Sequence, residues 1–217
     1  MSQAAIFDGV TLAGSSGKIL APIRAVGEAF DLPVVYKDGR ISLGGRKLNE
    51  KGPALPDGTR LVPLQSLSGW NVRVQWDAKT KRALLTMGDK QIYVRRGAKR
   101  VHVDKSKQEL VAVQGNHVVM RAPISTGRRG HRTPNGAFRA GPYKARMHRS
   151  SLYDDAPMPH SVQVTGDIFI HGYSSVPDVP ASHGCIRLPT DGRDPSKFFY
   201  EWVEVGTPIK ITGGWNS

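Results

Sequence analysis

From about residue 89 onward the chain consists of short alternating apolar stretches separated by tight-turn signals, a pattern that commits this part of it to a β architecture. Residues 101–103, 110–113 and 117–124 carry the period-two alternation of half-buried strands. Gly115-Asn116 between the last two suits a tight hairpin, and Gly166-Asp167 separates strand patterns at 162–165 and 168–170 in the same way. One helical pattern interrupts them. Asp194 can cap it, Pro195 fits its first turn, Phe198, Phe199 and Trp202 supply its buried face, and Gly206 ends it. Residues 89–217 therefore read as a mostly β domain with one covering helix.

The first 88 residues follow a different pattern. Leu20-Ala21-Pro22-Ile23 recurs 41 residues later as Leu61-Val62-Pro63-Leu64. Each copy runs into a short helical pattern, with Ile23, Val26 and Phe30 on one face in the first and Leu64 and Leu67 in the second. Each then continues as a strand, a turn (Lys37-Asp38-Gly39 or Asp77-Ala78-Lys79) and a second strand. Two such units burying their apolar faces together predict a small α+β domain built from an internal repeat. Met87-Gly88-Asp89-Lys90 reads as the boundary, giving domains 1–88 and 89–217.

A net charge of +13 over 217 residues points to an anionic partner. Nucleic acid is the default for such a balance, yet the chain carries none of the usual recognition motifs, so none is expected. No apolar run is long enough to span a bilayer. Residues 1–10 lack the basic start and apolar core of a signal peptide, which leaves a cytoplasmic protein or a mature form without its leader. The one cysteine excludes an internal disulfide. From Arg121 to Arg149 there are eight Lys or Arg residues and no acid, a run that reads as a solvated face or as an attractor for an acidic ligand.

That cysteine, Cys185, lies in the stretch HGYSSVPDVPASHGCIR at 171–187, with His171 and His183. A free thiol near pKa 8.5 is only about 3% ionised at neutral pH, so it becomes a nucleophile when a base can take its proton. A strand at 168–170 would deliver His171 on a rigid support, and glycines 172 and 184 allow close backbone approach. The alternative is a small core residue, as most lone cysteines are. His171, His183 and Cys185 could also ligate zinc, but a fourth ligand and paired spacing are missing, and no metal or other cofactor is expected.

The string itself resembles the signature of the L,D-transpeptidases, the YkuD-type family of cell-wall enzymes: HG, then SHGCIR beginning eleven residues after His171. TPNGAF at 133–138 is similar to the family's TP-x-G-x-F turn, APMPHSV at 156–162 to the segment before its active-site strand, and GTPIKI at 206–211 to its closing strand. The resemblance covers about residues 91–213. It implies a β-sandwich-like catalytic domain acting on peptidoglycan stem peptides outside the cytoplasm. Cys185 would form a thioester by cleaving the L–D bond of a tetrapeptide stem, and the acyl group would pass to an amine of another stem. Water as acceptor would make an L,D-carboxypeptidase, and an unreactive Cys185 a non-catalytic wall-binding protein.

The resemblance also implies roles. His171 would be the base, oriented by the carbonyl of Gly172. His183 would shape the turn, and backbone N–H groups of Gly184 and Cys185, with that of His183, would hold the oxyanion. Arg187, on its own chemistry, could bind a stem carboxylate through a two-pronged contact or equally anchor the turn to the fold. Ser182, Tyr153, Met158 and His160 are candidates for the substrate pocket, with Ser182 also suited to a structural part in the turn. The first 88 residues resemble the copper amine oxidase N-terminal-like domain, an accessory module of secreted enzymes. They contain no His or Cys, so a copper site has no support there. A wall-binding module and a spacer are both open readings, and the oligomeric state is unknown.

Overall fold

The computed structural model describes residues 5–14, 17–38, 40–48 and 53–214. Gly39 of the first predicted turn lies outside them, as do the outer ends of the two predicted domain ranges. The chain forms two compact units: residues 5–11, 17–98 and 114–118 make the first, and 12–14, 99–113 and 119–214 the second.

In the first unit, β1 (Ala5–Gly9) pairs with the last strand of the unit. β2 (Leu20–Pro22) leads into helix α1 (Ile23–Phe30), followed by β3 (Val34–Lys37), β4 (Arg40–Leu43) and β5 (Arg46–Lys47). β6 (Leu61–Pro63) leads into a 3-10 helix, Leu64–Trp70, then β7 (Arg73–Asp77), β8 (Arg82–Met87) and β9 (Lys90–Arg96). β2 and β6 pair antiparallel with Ala21 opposite Val62. Ile23, Val26 and Phe30 are buried together with Leu64 and Leu67, as their helical spacing predicts. The main sheet runs β1-β9-β8-β7. Met87-Gly88-Asp89-Lys90 is therefore no linker. Met87 pairs with Lys90 across a hairpin turn, and Gly88 takes the positive φ that the turn requires. The unit continues to residue 98.

The second unit is two sheets and one helix. β10 (Lys99–Asp104), β11 (Glu109–Gln114) and β12 (His117–Pro123) begin a five-stranded sheet, which β13 (Gly136–Arg139) joins. β14 (Lys144–Arg149), β15 (Pro157–Thr165), β16 (Ile168–Tyr173) and β17 (Ile186–Pro189) form the four-stranded sheet. After helix α2 (Pro195–Trp202), β18 (Pro208–Thr212) returns to the first sheet, whose order is β12-β11-β10-β18-β13. Val101, Val103, Leu110, Ile209 and Ile211 line its buried side.

Helix α2 packs on β15, β16 and β17. Asp194 caps it, its carboxylate accepting from Lys197 N at 2.9 Å. Phe199 and Trp202 are fully buried, each contributing roughly 1.5–3 kcal/mol. Phe198 is only half-buried, and the helix ends at Val203 in extended backbone. Gly206 shapes a later turn. The last-turn carbonyls of Tyr200 and Val203 accept from Lys144 Nζ at 2.8 and 2.6 Å, so a basic side chain from β14 closes the helix C-terminus. That buried contact lowers the Lys144 pKa, chiefly by desolvation.

Candidate active site

β16 and β17 are parallel neighbours, with Ile170 opposite Ile186 and His171 opposite Arg187. Paired residues of adjacent strands point to the same face, and each strand alternates faces. Gly172 faces α2: a Cβ there would lie 2.7 Å from Ser196 Oγ, so a side chain would push the helix off the sheet. Ile170, Ile186 and Leu188 share that fully buried face. The opposite face carries Phe169, His171, Tyr173 and Arg187, and Cys185 enters β17 from the same side.

His171 is 4% exposed. Its Nδ1 donates to Gly172 O at 2.9 Å, which fixes the tautomer and leaves Nε2 as an acceptor. Burial, outweighing that hydrogen bond, lowers its pKa to about 4, with Arg187 and His148 pushing the same way. The ring is therefore neutral through the physiological range. Burial likewise raises the Cys185 thiol, against the stabilising Phe169 N–H and the Arg187 charge. The resting pair is thus neutral thiol and neutral imidazole. Sγ donates to Asp167 O at 3.5 Å.

The turn carrying Cys185 is held from two sides. Ser182 Oγ donates to Cys185 O at 2.5 Å and accepts from Gly184 N at 3.1 Å. Thr133 Oγ1 donates to Gly184 O at 2.7 Å and accepts from Gly127 N at 2.9 Å. Gly184 has φ +117°, and a Cβ would meet Ile168 Cδ1 at 2.8 Å, so glycine is needed for both conformation and space. One sequence expectation changes here. Gly184 N–H is bound to Ser182, so it is no free oxyanion donor; among the described residues the N–H groups of His183 and Cys185 have no partner. Ser182 is 1% exposed, with its hydroxyl engaged in the turn.

His183 is fixed by its surroundings. Arg128 Nη2 donates to its Nε2 at 2.6 Å, Tyr153 stacks on it at 4.4 Å, and His131 meets it edge-on at 5.0 Å. Desolvation, then Arg128, His131 and Arg187, lower its pKa. Its Nε2 thus already accepts a hydrogen bond from a guanidinium. Tyr153 is exposed and stands at this mouth. Arg187 lies with its guanidinium 4.0 Å over the Tyr173 ring.

The remaining candidates separate. Met158 is buried in β15 opposite His148, whose ring stacks on Phe169 at 5.0 Å. His160 leaves it altogether. Its φ of +55° breaks strand parity, and Nδ1 donates to Ser196 Oγ at 2.9 Å, which in turn donates to Asp194 at 2.6 Å. It anchors the α2 N-terminus. Among the described residues no three His, Cys, Asp or Glu side chains gather within reach of one ion. Thr133, Arg128 and His131 escaped the sequence reading as site residues, although Thr133 opens the TPNGAF motif.

The basic run between 121 and 149 is no uniform face. Arg121 pairs with Glu109, Arg139 donates to Gly206 O, Arg149 pairs with Asp155, and Arg128 and Lys144 have the fixed partners described above. Among the described residues no helix is long and apolar enough to cross a membrane.

The chain resembles known proteins over part or most of its length. A search of curated proteins finds no match. Among solved structures, an L,D-transpeptidase from Stackebrandtia nassauensis is 27% identical over 54% of this chain and 56% of its own, with a TM-score of 0.48. One from Xylanimonas cellulosilytica is 30% identical over 54% and 61%, with a TM-score of 0.45. An L,D-transpeptidase from Mycobacterium smegmatis is 17% identical over 98% and 95%, at 0.49. The chain thus spans less than two thirds of the first two. Residues 98–211, over half the chain, match the L,D-transpeptidase catalytic domain (YkuD), and the protein belongs to that family.

Proposed function

We propose that this protein is a peptidoglycan L,D-transpeptidase working through a thioester on Cys185, acting outside the cytoplasm. The observation that carries the reading is the His171 ring. It is buried and neutral, its Nδ1 is tied to Gly172 O, and its free Nε2 shares a sheet face with the thiol. Such a ring can take a proton at neutral pH without first losing one.

Sγ attacks the carbonyl carbon of the L–D bond of a tetrapeptide stem while its proton passes to His171 Nε2. The C–N bond then breaks, the proton goes to the leaving nitrogen, and terminal D-alanine departs, leaving an acyl-thioester. An amine of a second stem attacks the thioester, gives its proton to Nε2, and the thiol is regenerated. Because thiol and imidazole both start neutral, charge develops only as substrate arrives. The tetrahedral oxyanion would sit against the N–H groups of Cys185 and His183, each such donor contributing about 3–4 kcal/mol. Arg187 and Tyr153 stand where they can meet a stem carboxylate and the peptide chain.

The first unit we read as a duplicated accessory module that positions the enzyme on the wall. Both β2–α1 and β6 with its 3-10 helix run from a short strand into a helix and then a hairpin. The family resemblance to the copper amine oxidase N-terminal-like domain stands on the same repeat.

Intact-mass analysis of the full chain after incubation with a tetrapeptide muropeptide tests the chemistry. An adduct of the tripeptide acyl group on wild type, absent from Cys185→Ala, together with released D-alanine, is expected. D-alanine released equally by both proteins would remove Cys185 from the reaction.

A further inference from the structure

Residues 126–135 present two faces. Arg128 and His131 reach His183, whereas Arg129 and Arg132 line a separate cavity of about 360 Å³. Lys105, Thr133, Asn135 and Gly213 also border it, and no Asp or Glu does. Neither arginine has an ion-pair partner among the described residues. Lys105 Nζ donates one hydrogen to Thr133 O at 2.7 Å and retains two. Asp104, the chain neighbour of Lys105, is engaged elsewhere: Oδ1 accepts from Ser106 N at 3.0 Å and Lys107 N at 3.3 Å, and Oδ2 faces Lys107 Nζ. Asn135 Nδ2 donates to Gly213 O at 3.0 Å, which ties the two edges of the opening together.

Three cations facing one concavity without a counter-charge repel each other, and an oxyanion between them would relieve that repulsion. Burial is the main cause that lowers the Lys105 pKa, and the Arg132 charge adds to it, which is that repulsion expressed at one group. Two guanidinium forks and an ammonium suit an anion with three or four oxygens and a charge of about −2 better than a lone carboxylate.

We propose that the cavity bounded by Lys105, Arg129 and Arg132 is a binding site for a phosphate-bearing anion; it shares Thr133 with the support of the Cys185 turn but is lined by neither Cys185 nor His171. It stands on charge and geometry and does not depend on the transpeptidase reading. Two sources share this chemistry, a free or terminal phosphate and the phosphodiester of a polyanionic polymer.

Titration of the full chain with inorganic phosphate, with a glycerol-phosphate oligomer and with acetate, at constant ionic strength and followed by amide NMR, tests it. Saturable phosphate binding is expected, with shifts confined to residues 105, 126–135 and 213–214, and acetate binding weaker by about tenfold or more. Arg129→Gln/Arg132→Gln should weaken phosphate binding at least about tenfold with an unchanged Tm. Should that variant fail to fold, Arg132→Gln alone carries the same expectation at a smaller factor. Tighter binding of the oligomer identifies a polymer phosphodiester, and preference for phosphate identifies the free or terminal group. Equal binding of all three anions, insensitive to the substitutions, would reduce the effect to screening of a +13 surface and overturn the proposal. Absence of saturation by both phosphate probes would do the same.

Discussion

The buried neutral imidazole of His171 makes the second unit sensitive to acid in a measurable way. In the unfolded chain the ring titrates near 6.5, and in the fold its pKa is lowered to about 4. As pH falls through that window the unfolded state binds a proton that the native state refuses. Stability contributed by this group is therefore complete above 6.5 and lost on the way down to 4. At about 1.36 kcal/mol per pH unit, the full 2.5-unit shift amounts to about 3.4 kcal/mol, or roughly 300-fold in the unfolding equilibrium, of which a factor of about 100 is lost between pH 7 and pH 4. His171→Gln lacks the titration. Amide hydrogen exchange at Phe169 and Ile170, in strand β16 beside the ring, reads the difference. Comparing the two proteins at the same pH cancels the intrinsic exchange rate. The ratio of wild-type to mutant protection should fall by about two orders of magnitude between pH 7 and pH 4. A ratio constant across that range would mean that the ring titrates as it does in the unfolded chain, and the reasoning from burial would fail.

Iodoacetamide alkylation of Cys185 should show a midpoint above that of an ordinary thiol, since burial raises its pKa, and His171→Gln should leave the midpoint nearly in place. A midpoint below pH 7 would reveal a thiolate–imidazolium pair instead. Thr133→Val removes the partner of both Gly127 N–H and Gly184 C=O at a buried position. A loss of about 2–4 kcal/mol by thermal unfolding is expected, with slower thioester formation. An unchanged acylation rate would show that the turn does not need this prop. Asp194→Ala should cost about 0.5–2 kcal/mol through the lost cap on α2, and an unaltered Tm would contradict it.

What the sequence reveals here follows from how local each signal is. The hairpins at 115–116 and 166–167 were legible because turn residues and flanking alternation sit within ten residues of one another. Gly88-Asp89 carries the same turn signal but falls where the repeat pattern ends, and it is the pairing of Met87 with Lys90 that makes it a hairpin and not a boundary. β14 was invisible: KARMHR has no apolar face and becomes a strand because β15 offers it a ladder. At the site, His171, Gly172 and the SHGC turn were legible from a contiguous string. The direction of His160 is not legible in the sequence: its positive φ turns it toward Ser196 on α2, and no local pattern announces that. Thr133 lies 51 residues from Gly184, and no local pattern announces a hydrogen bond across that distance.

The position of the final strand has a consequence for biosynthesis. β18 is an interior strand, parallel to β10 on one edge and antiparallel to β13 on the other. A ribosome delivering the chain from its N-terminus has therefore exposed residue 185 well before the residues that complete the five-stranded sheet emerge. Until then β10 and β13 lack the neighbour between them, and the unit is held open along an unpaired strand edge. The thiol therefore emerges before the sheet can close, so a chain truncated before Pro208 should be a protease substrate and not a partially active enzyme.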